Sequence, residues 1–259
     1  MVAVPAYPEP VPTVPRPWAP LRQDVRSYSS LAHSYDPEAY AVAPALGEDA
    51  AASEGPLPVR EEPEDATALG TAFHHLAQQA IIACAASERP RRLRCPAPEA
   101  VEAQVRQGHL TEGQQERLSA ALSRWFGSAL AERFAACATM AAEVPFMVTV
   151  EGDGSKGTLY LEGEIDGLGD EGDGRALLID YKTGGSAGES AEALHAKHLQ
   201  QAQCYAYALL GHGFSEVEAR FIRVEQPDPC DPAQPQAVAY RFAEVDRPAL
   251  AEAIYAAFE

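Results

Sequence analysis

From Thr158 to Ile165 apolar and polar residues alternate, with Leu159, Leu161 and Ile165 set against Thr158, Tyr160, Glu162 and Glu164. A period of two predicts a strand with one buried face. Ten residues on, Ala176-Leu177-Leu178-Ile179 is an unbroken apolar run, which predicts a short buried strand. Between them lies Gly169-Asp170-Glu171-Gly172-Asp173-Gly174, whose glycines suit a hairpin turn. Elsewhere the period is helical: Leu69, Phe73, Leu76 and Ala80 form one stripe, and Leu194, His198, Tyr205 and Leu209 another. The whole pattern predicts helices at about 67–88, 97–107 and 112–142, then strands near 144–151, 157–166 and 175–182. A helix at 191–210 ended by Gly211 and Gly213, strands at 216–224 and 236–243, and a helix at 246–258 close the chain. Thr111 stands three residues before Gln114, the spacing of a capping box that opens the third helix. The expected class is α/β, with a three-stranded sheet between helices and extra helices at the N-terminal side.

The chemistry concentrates where the two strands end. Asp180-Tyr181-Lys182-Thr183-Gly184 follows the apolar run directly. Side chains alternate along a strand, so Asp180 and Lys182 project to one side and Tyr181 to the other. Placing a carboxylate and an ammonium at the mouth of a buried strand costs desolvation energy, and function is the usual reason to do so. Upstream, Asp166 ends the alternating strand on its polar face. Folding at the glycine loop brings Asp166 and Asp180 to neighbouring strands. A loop centred near Asp173 sets them directly opposite, while one centred nearer Gly172 needs a bulge or bend.

Gly163-x-x-Asp166 followed by Asp180-Tyr181-Lys182-Thr183-Gly184 resembles the active-site hairpin of PD-(D/E)XK nucleases. More narrowly, it is similar to the RecB-family nuclease domain at the C-terminus of RecB and AddA helicase-nucleases. Four further segments agree in order. Gly70-Thr71-Ala72-Phe73-His74 matches a Gly-Thr-x-x-His helix, and Glu143-Val144-Pro145-Phe146 a Glu-x-Pro-Phe strand. Gln201 to Tyr205 matches a Gln-x-x-x-Tyr helix, and Ser27-Tyr28-Ser29-Ser30-Leu31 resembles the Ser-rich opening segment. The predicted order of helix, three strands, helix and strand is the core order of that restriction-endonuclease-like fold.

Asp166 and Asp180 are hard oxygen ligands suited to Mg²⁺, with Mn²⁺ as a substitute. Lys182, on the same face, is placed to offset charge on a phosphodiester under attack. His74 lies off the centre of its stripe, with Gly70 leaving space four residues back; the resemblance makes it a metal ligand and leaves His75 a bystander. By resemblance the backbone carbonyl of Tyr181 is a further ligand. Gln201 and Tyr205 then sit at the rim, positioning the metal site. Glu143 is either a structural charge or an outer member of the acidic cluster.

Composition bears on context more than on chemistry. The chain has 259 residues, 46% hydrophobic, enough for one sizeable domain with flexible additions. Residues 1–26 read as a Pro-rich linker, 27–66 as the opening segment followed by an acidic flexible linker, and 67–259 as the nuclease domain. No run reaches transmembrane length and no signal peptide opens the chain, so the expected location is the cytoplasm. Cysteines 84, 95, 137, 204 and 230 are scattered with no Cys-x-x-Cys pair, which argues against structural zinc and an iron–sulfur cluster. The net charge of −18 is at odds with phosphate binding. Arg89, Arg91, Arg92 and Arg94 form the one dense basic patch and the expected DNA contact. No Gly-x-x-x-x-Gly-Lys-[Ser/Thr] motif occurs, so no P-loop ATPase is present. The expectation is therefore a Mg²⁺-dependent DNA nuclease, an exonuclease, excised from or bound to a helicase motor in double-strand break repair. The competing readings are a catalytically silent scaffold or DNA-binding module and a stand-alone RecB-like nuclease outside repair.

Overall fold

The computed structural model describes residues 25–27, 63–150, 158–185 and 188–258. The Pro-rich segment up to residue 24, most of the acidic linker and all of the Ser-rich segment after Ser27 lie outside the described residues. The chain runs β1 (Val25–Ser27), α1 (Pro63–Ala85), α2 (Pro98–Gln107), α3 (Glu112–Phe126), α4 (Ala129–Ala136), β2 (Thr139–Val150), β3 (Leu159–Gly172) and β4 (Arg175–Lys182). It continues through α5 (Ala191–Gly211), β5 (Glu216–Pro227), β6 (Pro235–Ala243), a 3₁₀ turn (Glu244–Asp246) and α6 (Arg247–Phe258). The α/β class and the core order are as expected.

Two boundaries differ from the sequence pattern. The helix expected over 112–142 is two helices and the start of a strand. Gly127 ends α3, and the Ser128 hydroxyl accepts from Ala131 N–H to cap α4. The alanines around 135–142 carry no periodicity that could reveal the change. The second difference is that β3 runs on through Asp166 to Gly172, so only Asp173 and Gly174 form the turn. Their φ angles of 53° and 73° are those of a tight hairpin turn that favours Asp-Gly. The Thr111–Gln114 capping box is present on α3 as read.

The strands form one mixed six-stranded sheet, ordered β1-β3-β4-β5-β6 with β2 on the other edge of β3. β4 and β5 are parallel, joined by α5, and the remaining long pairs are antiparallel. Helices cover both faces. Leu177, Ile179 and Tyr181 pack with Phe73, Leu76, Leu118 and Trp125 beneath α1, α3 and α4. Leu178, Ala219 and Phe221 pack with Ala202, Tyr205 and Ile254 beneath α5 and α6. β4 is thus buried on both sides, which is why its sequence reads as a continuous apolar run. No described helix is long and apolar enough to cross a membrane.

The sheet has one inversion, and it positions the site. On β2, Met140 and Ala142 join the α1 side, whereas Val144, Phe146 and Val148 join the α5 side. Residues two apart on a regular strand share a face, so the strand turns over at Glu143, whose φ is 49°. On β3, Leu161 and Ile165 face α5, yet Gly167 and Gly169 abut Phe134 on the other side. The β2–β3 ladder skips only Glu143 and Asp166 and resumes in the same register. Both strands invert together at that level, which frees those two carboxylates from either core.

Candidate metal centre

Three strands bring carboxylates to one level. The β3–β4 ladder ends at Gly167↔Ile179, and its register, centred on Asp173, sets Asp166 opposite Asp180. Beyond that last pair the strands part, and Asp166 Oδ2 accepts from Tyr181 N–H at 2.6 Å in place of a ladder bond. Across β3, Glu143 stands level with Asp166. From above, α1 adds His74, whose Nδ1 is 3.4 Å from Asp166 Oδ1. One ligand atom each of His74, Glu143 and Asp166 lie within 4.8 Å of one another. Among the described residues this is the group able to hold a cation, and Asp180 lies outside it. Glu143, which the sequence left between two roles, is thus at the centre.

Asp180 is held by a shell of its own. The carboxylate is 2% exposed. Its Oδ2 accepts from Gln201 Nε2 at 2.8 Å, and the Tyr205 hydroxyl stands 3.0 Å away. That hydroxyl is also 3.0 Å from the Glu164 carbonyl, and with one proton it donates to one acceptor at a time. Gln201 Nε2 donates to the Tyr205 oxygen at 2.7 Å. Asp180 Oδ1 faces Lys182 Nζ at 2.7 Å, and the ammonium also sits 5.5 Å from the centre of the Phe221 ring. Asp180 and Lys182 share a face as expected, while Tyr181 turns away between Phe73 and Trp125, its ring edge-on to His74.

Two glycines explain why the motifs occur together. A Cβ on Gly70 would lie 2.7 Å from Thr183 Oγ1, so only glycine lets α1 come down onto the end of β4. A Cβ on Gly163 would lie 2.7 Å from the Phe146 ring, which covers that glycine and meets the Tyr205 ring edge-on at 5.7 Å. Past Lys182, Gly184 has a φ of 74° and donates its N–H to Glu225, itself clamped by Arg117 at 2.7 Å.

The electrostatics are those of a cation site read without its cation. Burial, then the hydrogen bond with Glu164, then the charges of Asp166 and Glu164 push the Glu143 carboxyl up to about 8. Burial and the Asp166 charge raise Asp180 more than Lys182 and Tyr205 lower it. Burial opposes charge on the His74 ring, but the hydrogen bond to Asp166 and the charges of Asp166, Asp180 and Glu143 outweigh it and raise its pKa. A divalent ion would favour the charged carboxylates against both the burial and the repulsion that raise them.

A cleft of about 510 Å³ opens over the group, lined by Thr183, Glu143, Glu164 and one face of α1 that includes His75 and Gln78. Sequence reasoning did not single out Glu164 or Gln78, and it set His75 aside as a bystander. Glu164 lay in plain view on the polar face of its strand, whereas nothing in the helical stripe marked the two α1 residues. The basic patch is not a unit. Arg89 donates to the carbonyls of Cys137 and Ala138, and Arg91 to the same two at 3.3 and 3.2 Å, closing the end of α4. Arg92 and Arg94 are exposed, Arg92 being 3.9 Å from Glu132. Ala138 is five residues along β2 from Glu143, about 16 Å at the rise of a strand.

The sequence pattern described as the PD-(D/E)XK nuclease superfamily matches residues 48–257. No curated protein matches the chain. The crystal structure of SSO0001 is similar over 74% of this chain and 84% of its own, at 15% identity and a TM-score of 0.34. That likeness is too slight to add to the argument.

Proposed function

We propose that the chain, which belongs to the PD-(D/E)XK nuclease superfamily, is a Mg²⁺-dependent deoxyribonuclease. Members of the superfamily are generally metal-dependent nucleases. The finer reading is an exonuclease of the RecB type, the cytoplasmic nuclease domain of a helicase-nuclease acting in double-strand break repair. The observation that supports the metal-dependent nuclease reading is the convergence of His74, Glu143 and Asp166 within 4.8 Å beside the Asp180–Lys182 pair. Carboxylate oxygens and an imidazole are a donor set that suits a hard divalent ion. His74, Glu143 and Asp166 would hold it, and by resemblance so would Asp180 and the Tyr181 carbonyl. When bound, the ion supplies charge neutralisation at a phosphodiester and a lowered pKa for bound water.

The chain's own groups do the rest. Gln201 and Tyr205 hold the Asp180 carboxylate at a fixed angle. Lys182, 31% exposed beside Asp180, would offset charge on a phosphate held at the metal centre. Glu164 bonds Glu143 and orients its carboxyl. Incubation with end-labelled single- and double-stranded DNA in Mg²⁺ or Mn²⁺ should give EDTA-sensitive cleavage to 5′-phosphate and 3′-hydroxyl ends. Closed circles should survive if the activity is exonucleolytic. Lys182→Ala should lower the rate ~10²–10³-fold while leaving metal affinity intact, the scale of one lost transition-state contact. Asp180→Ala should abolish the activity. A wild-type chain that binds metal yet cleaves nothing would favour the silent scaffold.

A further inference from the structure

His75 and Gln78 have no part in the metal centre, yet both line its cleft. His75 is the next residue after His74 on the same helix, and Gln78 lies one turn beyond His74. Gln78 follows His74 by four residues and His75 by three, so its side chain neighbours each of theirs on the surface of α1. One turn advances 5.4 Å, so Gln78 stands about that far along α1 from the metal centre's histidine. Gln78 is half-buried and makes no side-chain hydrogen bond among the described residues, so both its donors and its acceptor are free to meet a ligand. His75 Nε2 lies 2.8 Å from Gln79 Nε2, and in the neutral imidazole that donation leaves the ring proton on Nδ1.

The opposite wall is acidic, formed by Glu143 and Glu164, and among the described residues no lysine or arginine lines the cleft. A duplex gripped by its phosphates needs cations where it lies, and among the described residues the lining supplies none, with Lys182 standing outside it. Only the phosphate at the metal centre is tolerated, and what lies against α1 has to be recognised by neutral hydrogen bonds. An unpaired base offers its Watson–Crick edge to such bonds, while a paired one has spent that edge. The volume of about 510 Å³ suits a nucleotide or two, being within the range of small-ligand sites.

We propose that His75 and Gln78 bind the base of the unpaired nucleotide next to the scissile phosphate, making a single strand the substrate of this site. The proposal rests on the nuclease reading. It deepens that reading by naming which strand form enters and which residues position it. Neither side chain touches the reacting atoms.

The test is binding of a short single-stranded oligonucleotide by the full chain in Ca²⁺, with an abasic nucleotide moved along it one position at a time. For the wild type, one abasic position next to the phosphate at the metal should weaken binding by about tenfold, the loss of one or two neutral hydrogen bonds. The variant His75→Ala/Gln78→Ala should bind the intact oligonucleotide about tenfold more weakly and lose the penalty at that position, with Ca²⁺ affinity unchanged. A duplex of the same sequence should bind more weakly than the single strand, and equally in both proteins. A variant that keeps both the affinity and the position-specific penalty would overturn the proposal, as would tighter binding of the duplex. Failure of the nuclease reading would show separately, as absent Mg²⁺-dependent cleavage by the wild type.

Discussion

Replacing Gly70 by alanine separates the stability of α1 from the geometry of the site it carries. The new Cβ would stand 2.7 Å from Thr183 Oγ1, where ordinary contact begins at 3.4 Å. Thr183 is β-branched and follows Lys182, so it has little freedom to turn aside. The helix must therefore lift by about 0.7 Å, the difference between those distances. That carries His74 Nδ1, now 3.4 Å from Asp166 Oδ1, to about 4 Å. Ligand positions have to hold to about ±0.2 Å to bind a metal well. Against this, alanine in a helix interior is favoured over glycine by about 0.8–1 kcal/mol. The expected result is divergent: unfolding free energy within about 1 kcal/mol of wild type, and metal affinity down about 10–100-fold, the usual cost of disturbing the groups that orient a ligand. Denaturant titration gives the first quantity and Mn²⁺ calorimetry the second. Adding Thr183→Ala removes the clashing atom and should restore metal binding. Unchanged Mn²⁺ affinity in Gly70→Ala, or a double variant no better than the single one, would refute the coupling of α1 to β4.

Gly163→Ala sets a methyl against the Phe146 ring, directly opposite it across β2 and β3, and should destabilise by about 1–3 kcal/mol; Phe146→Leu in the same chain should recover most of that in urea unfolding. The Glu143 carboxyl, near 8 when folded against an ordinary 4.5, holds a proton that the unfolded chain has released between those values. Its contribution to stability is therefore full below about pH 4.5 and is lost as pH rises through about 8. Metal-free unfolding midpoints should fall across that window, flatten in saturating Ca²⁺, and flatten without metal in Glu143→Gln; proton release on Ca²⁺ binding, read by calorimetry in two buffers, checks the same group.

Local chemistry was enough to determine a good part of this protein. The alternation over 158–165 and the apolar run at 176–179 each report one short stretch meeting one or two faces of a core, so β3 and β4 were legible. So were the Thr111 cap, the helix from Ala191, and the shared face of Asp180 and Lys182, which follows from strand geometry alone. The glycine-rich turn was legible too, whereas the register that sets Asp166 opposite Asp180 also needs the irregularity between Asp170 and Gly172.

What tertiary structure decided are the features that depend on two segments at once. Glu143 adopts a left-handed φ that its residue type does not favour, because β2 must invert where β3 inverts, and neither strand's own sequence announces that. Its place in the centre is a consequence of register with Asp166. Arg89 and Arg91 look like a nucleic-acid patch in sequence, but the end of α4 folds against them and takes up their donors. His75 and Gln78 read as the polar side of a helix, since a hydrophobic stripe says which face is buried and nothing of what the other face confronts. The cleft exists only once α1, β2 and β3 are docked, and a wall has no pattern along the chain that builds it.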